Sequence, residues 1–214
     1  MKKILYWLFL GACSIAGVQA QPLASVASPD GSIVLQINGK DNSLSYHVKK
    51  AGNTVLVEAP IRMTIDGAEL CTGVSVLSSD TYKTDNTYPI RGSHSQAADR
   101  SNGLLLKLKN EPLKTDFTLE ARAYNDGFAF RLILPGDKNR VRTPDEHTVF
   151  TLVDGSEVWY HDMYCHYEGL HQKKKVSAIT KGEWAAPPVT VQLPGNSGYL
   201  CLTESALMNY AGMS

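Results

Sequence analysis

No stretch of this 214-residue chain repeats its apolar residues every 3.6 positions over three turns, which excludes helical bundles and helix-rich α/β folds. A basic excess is also missing. The 21 Lys and Arg balance 21 Asp and Glu without forming a basic stripe, so nucleic acid and anionic lipid are excluded as partners. Lys173-Lys174-Lys175 is the one basic run, and it reads as a solvated loop. No C-x2-C, H-E-x-x-H or G-x-S-x-G spacing occurs, which removes the familiar zinc and nucleophilic-serine signatures. Neither an internal repeat nor a low-complexity linker interrupts the chain, so no boundary is placed within residues 21–214.

The N-terminus is where apolar character concentrates. Lys2-Lys3, the mostly apolar run Ile4 to Gly17 and Val18-Gln19-Ala20 before Gln21 have the order of a secretory signal, with cleavage expected after Ala20. The run is too short and wrongly flanked for a membrane span. Leu10-Gly11-Ala12-Cys13 offers a competing reading as a lipobox, with Cys13 acylated and the protein tethered. Periplasm or secretion is the expected address. Loss of Lys2 and Lys3 leaves 19 basic against 21 acidic side chains.

Cysteine is scarce beyond the leader. Cys71, Cys165 and Cys201 are an odd set for an oxidising compartment, so at most one internal pair can form and no disulfide framework is implied. Cys201 alternates with apolar neighbours and reads as buried, a small hydrophobe.

What the chain does contain is period-two alternation broken by turns. Ser32–Asn38 and Ser43–Lys49 flank Gly39-Lys-Asp-Asn42 as a hairpin, followed by Thr54–Val57 and Ile61–Ile65. Leu104–Leu108, Phe117–Tyr124, Phe128–Leu134 and Val149–Leu152 are further strands, with Asn125-Asp126-Gly127 supplying a tight return. Ser78–Asn102 is polar and weakly patterned, and reads as a long loop with one short strand. Many short strands without crossover helices predict an all-β fold, a large antiparallel sandwich.

Chemistry is sparse. Hydrolysis of a glycosidic bond takes two convergent carboxyl groups, and the acids here scatter over turns and strand exteriors. His161, His166 and His171, with Cys165 between them, invite a metal reading, but residues five apart share no face of a strand or helix. A polar loop with aromatic anchors accounts for them better. Trp184, before Pro187-Pro188, can either pack against the prolines, the commoner fate of a large aromatic, or stack on a sugar ring. Arg131, within Phe-Ala-Phe-Arg, reads as a sheet-edge or internal ion-pair residue. Glu204 ends the alternating run Gly198–Thr203, where an acid before a helix-like segment is mildly favourable.

Taken together, Ala121–Arg131 with its Tyr124-Asn-Asp-Gly127 turn, Trp159 with His166-Tyr-Glu168-Gly169, and Leu202-Thr-Glu204 with Leu207, Asn209, Tyr210, Gly212 and Met213 resemble the N-terminal domain of glycoside hydrolase family 97. These bacterial enzymes cleave α-glucosides and α-galactosides. The resemblance spans roughly residues 23 to 213 and implies a galactose-mutarotase-like super-sandwich preceding a catalytic (β/α)8 barrel, which is absent here. It further implies calcium as cofactor, with Glu204 lent to a site shared with barrel carboxylates. Glu168 and Trp184 are then the candidate substrate-binding residues at the sandwich-to-barrel junction, an oligosaccharide the substrate, and no catalytic residue belongs to this segment. A stand-alone carbohydrate-binding module and a structural sandwich are the competing readings.

Overall fold

Where alternation meets positive-φ turns, the chain folds back on itself. The computed structural model describes residues 22–136, 139, 141–164 and 168–205. Strand accounts for 57% and helix for 3%, as the all-β reading expects.

The first sheet runs β1 (Ala24–Ala27), β2 (Ile33–Lys40), β3 (Ser43–Lys50), β4 (Asn53–Pro60) and β12 (Thr151–Leu152), neighbours antiparallel in that order. The β2–β3 return uses Asp41 and Asn42 at φ 49° and 61°, the double positive φ of a two-residue hairpin loop. A second sheet has the order β10 (Phe128–Ile133), β9 (Thr115–Ala123), β8 (Gln96–Asn110) and β7 (Val74–Pro89). A small sheet joins β11 (Pro144–Glu146), β5 (Met63–Ile65) and β6 (Ala68–Glu69). The fourth, which carries the candidate site, has the order β14 (Gln172–Lys175), β13 (Glu157–Tyr160), β15 (Val189–Gln192) and β16 (Tyr199–Leu202).

Alternation puts Leu35 and Ile37 of β2, Leu44 and Tyr46 of β3, Leu106 and Leu108 of β8, and Leu119 and Ala121 of β9 into one fully buried core between the first two sheets. Each large aliphatic side chain there stabilises the fold by about 2 kcal/mol, which makes this interface the main source of stability. Tyr46 stacks between Phe130 and Phe150 at 5.1 and 6.1 Å, and its hydroxyl donates to the Val149 carbonyl at 2.9 Å. Burial holds that phenol well above its ordinary pKa. Asn110, also fully buried, donates to the carbonyls of Glu69, Leu70 and Thr72 and accepts from the Leu113 N–H at 2.7 Å, tying the small sheet to β8. Leu202 of β16 reaches the same core, so the fourth sheet is anchored to the sandwich.

Three expectations change. Ser78–Asn102 is not a loop: it lies within β7 and β8, paired in register from Val74/Asn110 to Pro89/Gln96. Its polarity reflects an edge strand and, for residues 84–100, a ribbon that extends past β9, whose pairing stops at Asn102, so that no apolar residue of this stretch joins the core. Lys173–Lys175 belongs to β14, an edge strand, where exposed lysines are at home. Cys201 is exposed, because β16 turns Leu200 and Leu202 inward and therefore Tyr199 and Cys201 outward. Cys71 is the buried free thiol, its pKa pushed up to about 12 by desolvation. Residues 1–21 and 206–214, Cys165, His166 and Tyr167 lie outside the described residues, and with them the leader, Cys13 and the pattern beyond Glu204.

Candidate functional site

Register within the fourth sheet decides which residues meet. β13 pairs with β14 through Glu157/Lys175 to Tyr160/Gln172, and with β15 through Trp159/Thr190, so β14 and β15 run the same way on either side of it. β16 returns along β15, with Leu202 opposite Val189. Three ends therefore converge beside Tyr160: the exit of β13, the entry of β15 and the exit of β16. Glu168 lies in the segment leaving β13, Trp184 in the segment entering β15, and Glu204 two residues past β16. The topology brings the segments that carry the three sequence-predicted residues to one end of one sheet.

The segment carrying Trp184 is fixed there by its neighbour. Glu183 accepts from Lys174 Nζ at 2.6 Å, the Tyr160 hydroxyl at 2.6 Å, and the Thr180 N–H and hydroxyl at 2.8 Å each. The lysine first, and then these hydrogen bonds, hold its carboxyl far below the usual range. Val176, Ile179 and Ala185 pack on Val158, Tyr160 and Val191, and the Ala186 N–H donates to the His161 carbonyl at 2.9 Å. Trp184 is thus held at a fixed place yet 61% exposed, which overturns its burial against the proline pair. Ala185 and Ala186 take the inward positions of this segment, and the indole stays in solvent.

Glu168 is exposed and Glu204 half-buried, and both already engage neighbouring groups. His161 is buried, with Nδ1 against the Asp162 carbonyl, and its ring lies 4.9 Å from that of His171. Among the described residues no three His, Cys, Asp or Glu side chains form a metal-binding group.

A second polar cluster, unforeseen as a unit, occupies the outer face of the second sheet. Glu120 is 7% exposed, bonded to the Tyr82 hydroxyl, to Arg131 at 2.6 Å and to Arg122 at 3.3 Å. Burial opposes its charge, but Tyr82 and the two arginines outweigh it, and the carboxyl sits below its ordinary pKa. Counting back from the Asn125–Gly127 turn pairs Arg131 with Glu120 directly, so the signal was available in the sequence. This is the ion-pair role expected of Arg131.

Calcium takes six to eight oxygens, and one carboxylate gives at most two. The half-buried Glu204 carboxylate could offer one or two of those oxygens, and the remainder would have to come from other groups.

Comparison with known proteins places these features in a family. The glycosyl-hydrolase 97 N-terminal model matches residues 26–214. A retaining alpha-galactosidase of Bacteroides thetaiotaomicron is 30% identical over 226 residues, covering 100% of this chain and 33% of that protein. A probable retaining alpha-galactosidase of Streptomyces bingchenggensis is 24% identical, over 71% of this chain and 24% of its own length. A glycoside hydrolase family 97 enzyme from Pseudoalteromonas sp. strain K8, solved with panose, superposes with a TM-score of 0.80 at 18% identity, over 89% of this chain and 30% of that one. The chain therefore spans no more than about a third of the length of the relatives it matches. Matches to longer glycosidases favour an accessory domain over a stand-alone module. With the family model matched across nearly all of the described fold, the chain belongs to glycoside hydrolase family 97, as its N-terminal β-sandwich domain.

Proposed function

We propose that this sandwich buttresses a catalytic (β/α)8 barrel in an exported, calcium-dependent α-glycosidase, and that the end of the fourth sheet bearing Glu168, Trp184 and Glu204 is the face that meets it. The observation carrying this reading is that strand register brings the segments bearing those residues, far apart in sequence, to one end of one sheet. Glu204 supplies one oxygen ligand of a calcium site completed by barrel carboxylates. Glu168 and the exposed Trp184 wall the sugar pocket, the indole offering an apolar face to a pyranose ring. The substrate is an oligosaccharide with a terminal α-glucoside or α-galactoside. Both carboxyl groups that cleave it belong to the barrel, so the sandwich binds and positions without catalysing.

The test is made in a full-length family member carrying this segment. Glu204→Gln keeps the side chain's size and removes its charge, so calorimetry should show calcium affinity falling at least tenfold, with activity partly restored by excess calcium through mass action. Equal affinity would return Glu204 to the role of a surface acid. For the address, residues 1–20 act as a leader removed before Gln21, and mass spectrometry of exported protein should find that terminus; a diacylated Cys13 would instead show a tethered lipoprotein.

A further inference from the structure

The opposite end of the fourth sheet carries a site that the junction does not use. There, a cleft of about 150 Å³ is lined by Glu157, Lys175, Gln192 and Asn196 and by the backbone of the Pro194–Asn196 turn. Tyr199 stands opposite Gln192 and is 69% exposed, and its ring lies 6.1 Å from that of Trp159. Lys173 covers the indole at 4.6 Å and holds Glu157 at 2.7 Å. The indole and the carboxylate are thereby fixed, while the tyrosine ring remains presented to solvent.

We propose that this end binds the ring of a neutral hexopyranoside, a surface carbohydrate site distinct from the pocket at the junction. A pyranose has an apolar face and a rim of hydroxyls that both donate and accept, so it needs an aromatic platform beside mixed hydrogen-bonding groups. Tyr199 is the platform. Gln192 and Asn196 offer amides with both functions, and no side-chain hydrogen bond within the described residues engages either. Glu157 supplies a fixed acceptor, its charge offset by Lys173. The cleft is well below the roughly 300 Å³ at which drug-sized pockets begin, so it takes one ring, with the rest of a chain running over the surface. Register places it at the end of β13 remote from Glu204, so it stays open when the junction end is covered.

Because the site is small and shallow, its affinity should be weak, with a dissociation constant of about 1 mM. The probes are panose and melibiose, titrated into the protein with calorimetry as the main readout and tryptophan emission, to which Trp159 and Trp184 both contribute, beside it. Tyr199→Ala should weaken binding at least tenfold, Gln192→Ala and Asn196→Ala roughly threefold each, and Tyr88→Ala on the β7–β8 ribbon not at all, with thermal melting confirming that each variant is folded. Absence of binding of both sugars at 20-fold the expected constant overturns the proposal, as does wild-type affinity in Tyr199→Ala. Binding lost in Trp184→Ala but kept in Tyr199→Ala moves the sugar to the junction end and also overturns it. If the catalytic domain of a full-length relative competes with sugar in a Tyr199-dependent way, the face is a domain interface and the proposal fails. None of these outcomes bears on calcium affinity in Glu204→Gln, so this site and the junction reading stand or fall separately.

Discussion

Replacing Glu120 by Gln tests whether the outer-face cluster contributes to stability through its charge. The Glu120 side chain is buried, but those of its partners differ: Arg131 is 68% exposed and Arg122 33%. Solvent screens the exposed arginine, so its pair with Glu120 is worth well under 1 kcal/mol. The Tyr82 hydroxyl and the half-buried Arg122 bond to a charged acceptor in a drier setting, at about 1 kcal/mol each. Gln keeps the shape and loses the charge, so the expected cost is about 2 kcal/mol, or a fall in Tm of roughly 4–8 °C for a domain of this size. The pH dependence fixes the sign. The folded carboxyl has a lowered pKa, so its contribution is present above the unfolded value near 4.3 and is lost as pH falls through the folded value. Circular dichroism melts at pH 7 and at about pH 3.5 should show the wild-type advantage at the first and a clearly smaller one at the second. Equal Tm at pH 7, or a gap that persists undiminished in acid, would refute the charge-based account.

Gly103 faces Tyr82 across β7 and β8, and a Cβ built there would lie 2.1 Å from the phenol ring. Gly103→Ala must therefore displace the ring and its bond to Glu120, costing about 2 kcal/mol by denaturant titration, and Tyr82→Ala in the same chain should recover most of that loss. Glu183→Gln removes the charge that gathers Lys174, Tyr160 and Thr180, so limited proteolysis should cut within residues 176–188 faster than in the parent while the global Tm barely moves. Unchanged cleavage would show that Val176, Ile179 and Ala185 hold that segment by packing alone.

Turn chemistry was the most legible part of the fold. Asn125-Asp126-Gly127 predicted the β9–β10 hairpin, and the backbone bond from Tyr124 N–H to the Gly127 carbonyl closes it at 2.8 Å. The β2–β3 hairpin was equally readable from Asp41-Asn42. The β7–β8 ribbon was not, because alternation signals a strand only when one face is buried. Residues 83–89 and 96–101 pair through the backbone ladder and one exposed ion pair, Arg100 to Asp85 at 2.8 Å, and their side chains carry no apolar period. Cys201 failed for a related reason. Tyr199-Leu-Cys-Leu202 is apolar on both faces, so alternation between Cys and Leu does not say which set points inward, and attachment of β16 to the core through Leu202 decides it.

The candidate site was legible as residues and illegible as a place. Glu168, Trp184 and Glu204 are separated by 16 and 20 positions, and nothing local says that they share an end of a sheet. Their convergence depends on β14 and β15 running parallel on either side of β13, a crossover made by residues 176–188. That same crossover sends Gln192, Asn196 and Tyr199 to the other end. One sheet thus separates two exposed surfaces along the length of its strands, a distance of roughly 10–13 Å at about 3.3 Å per residue. The separation puts a ring bound at Tyr199 about one strand length from the entry of β15 and the exit of β16, so strand length and register keep the cleft apart from the end that carries Glu204.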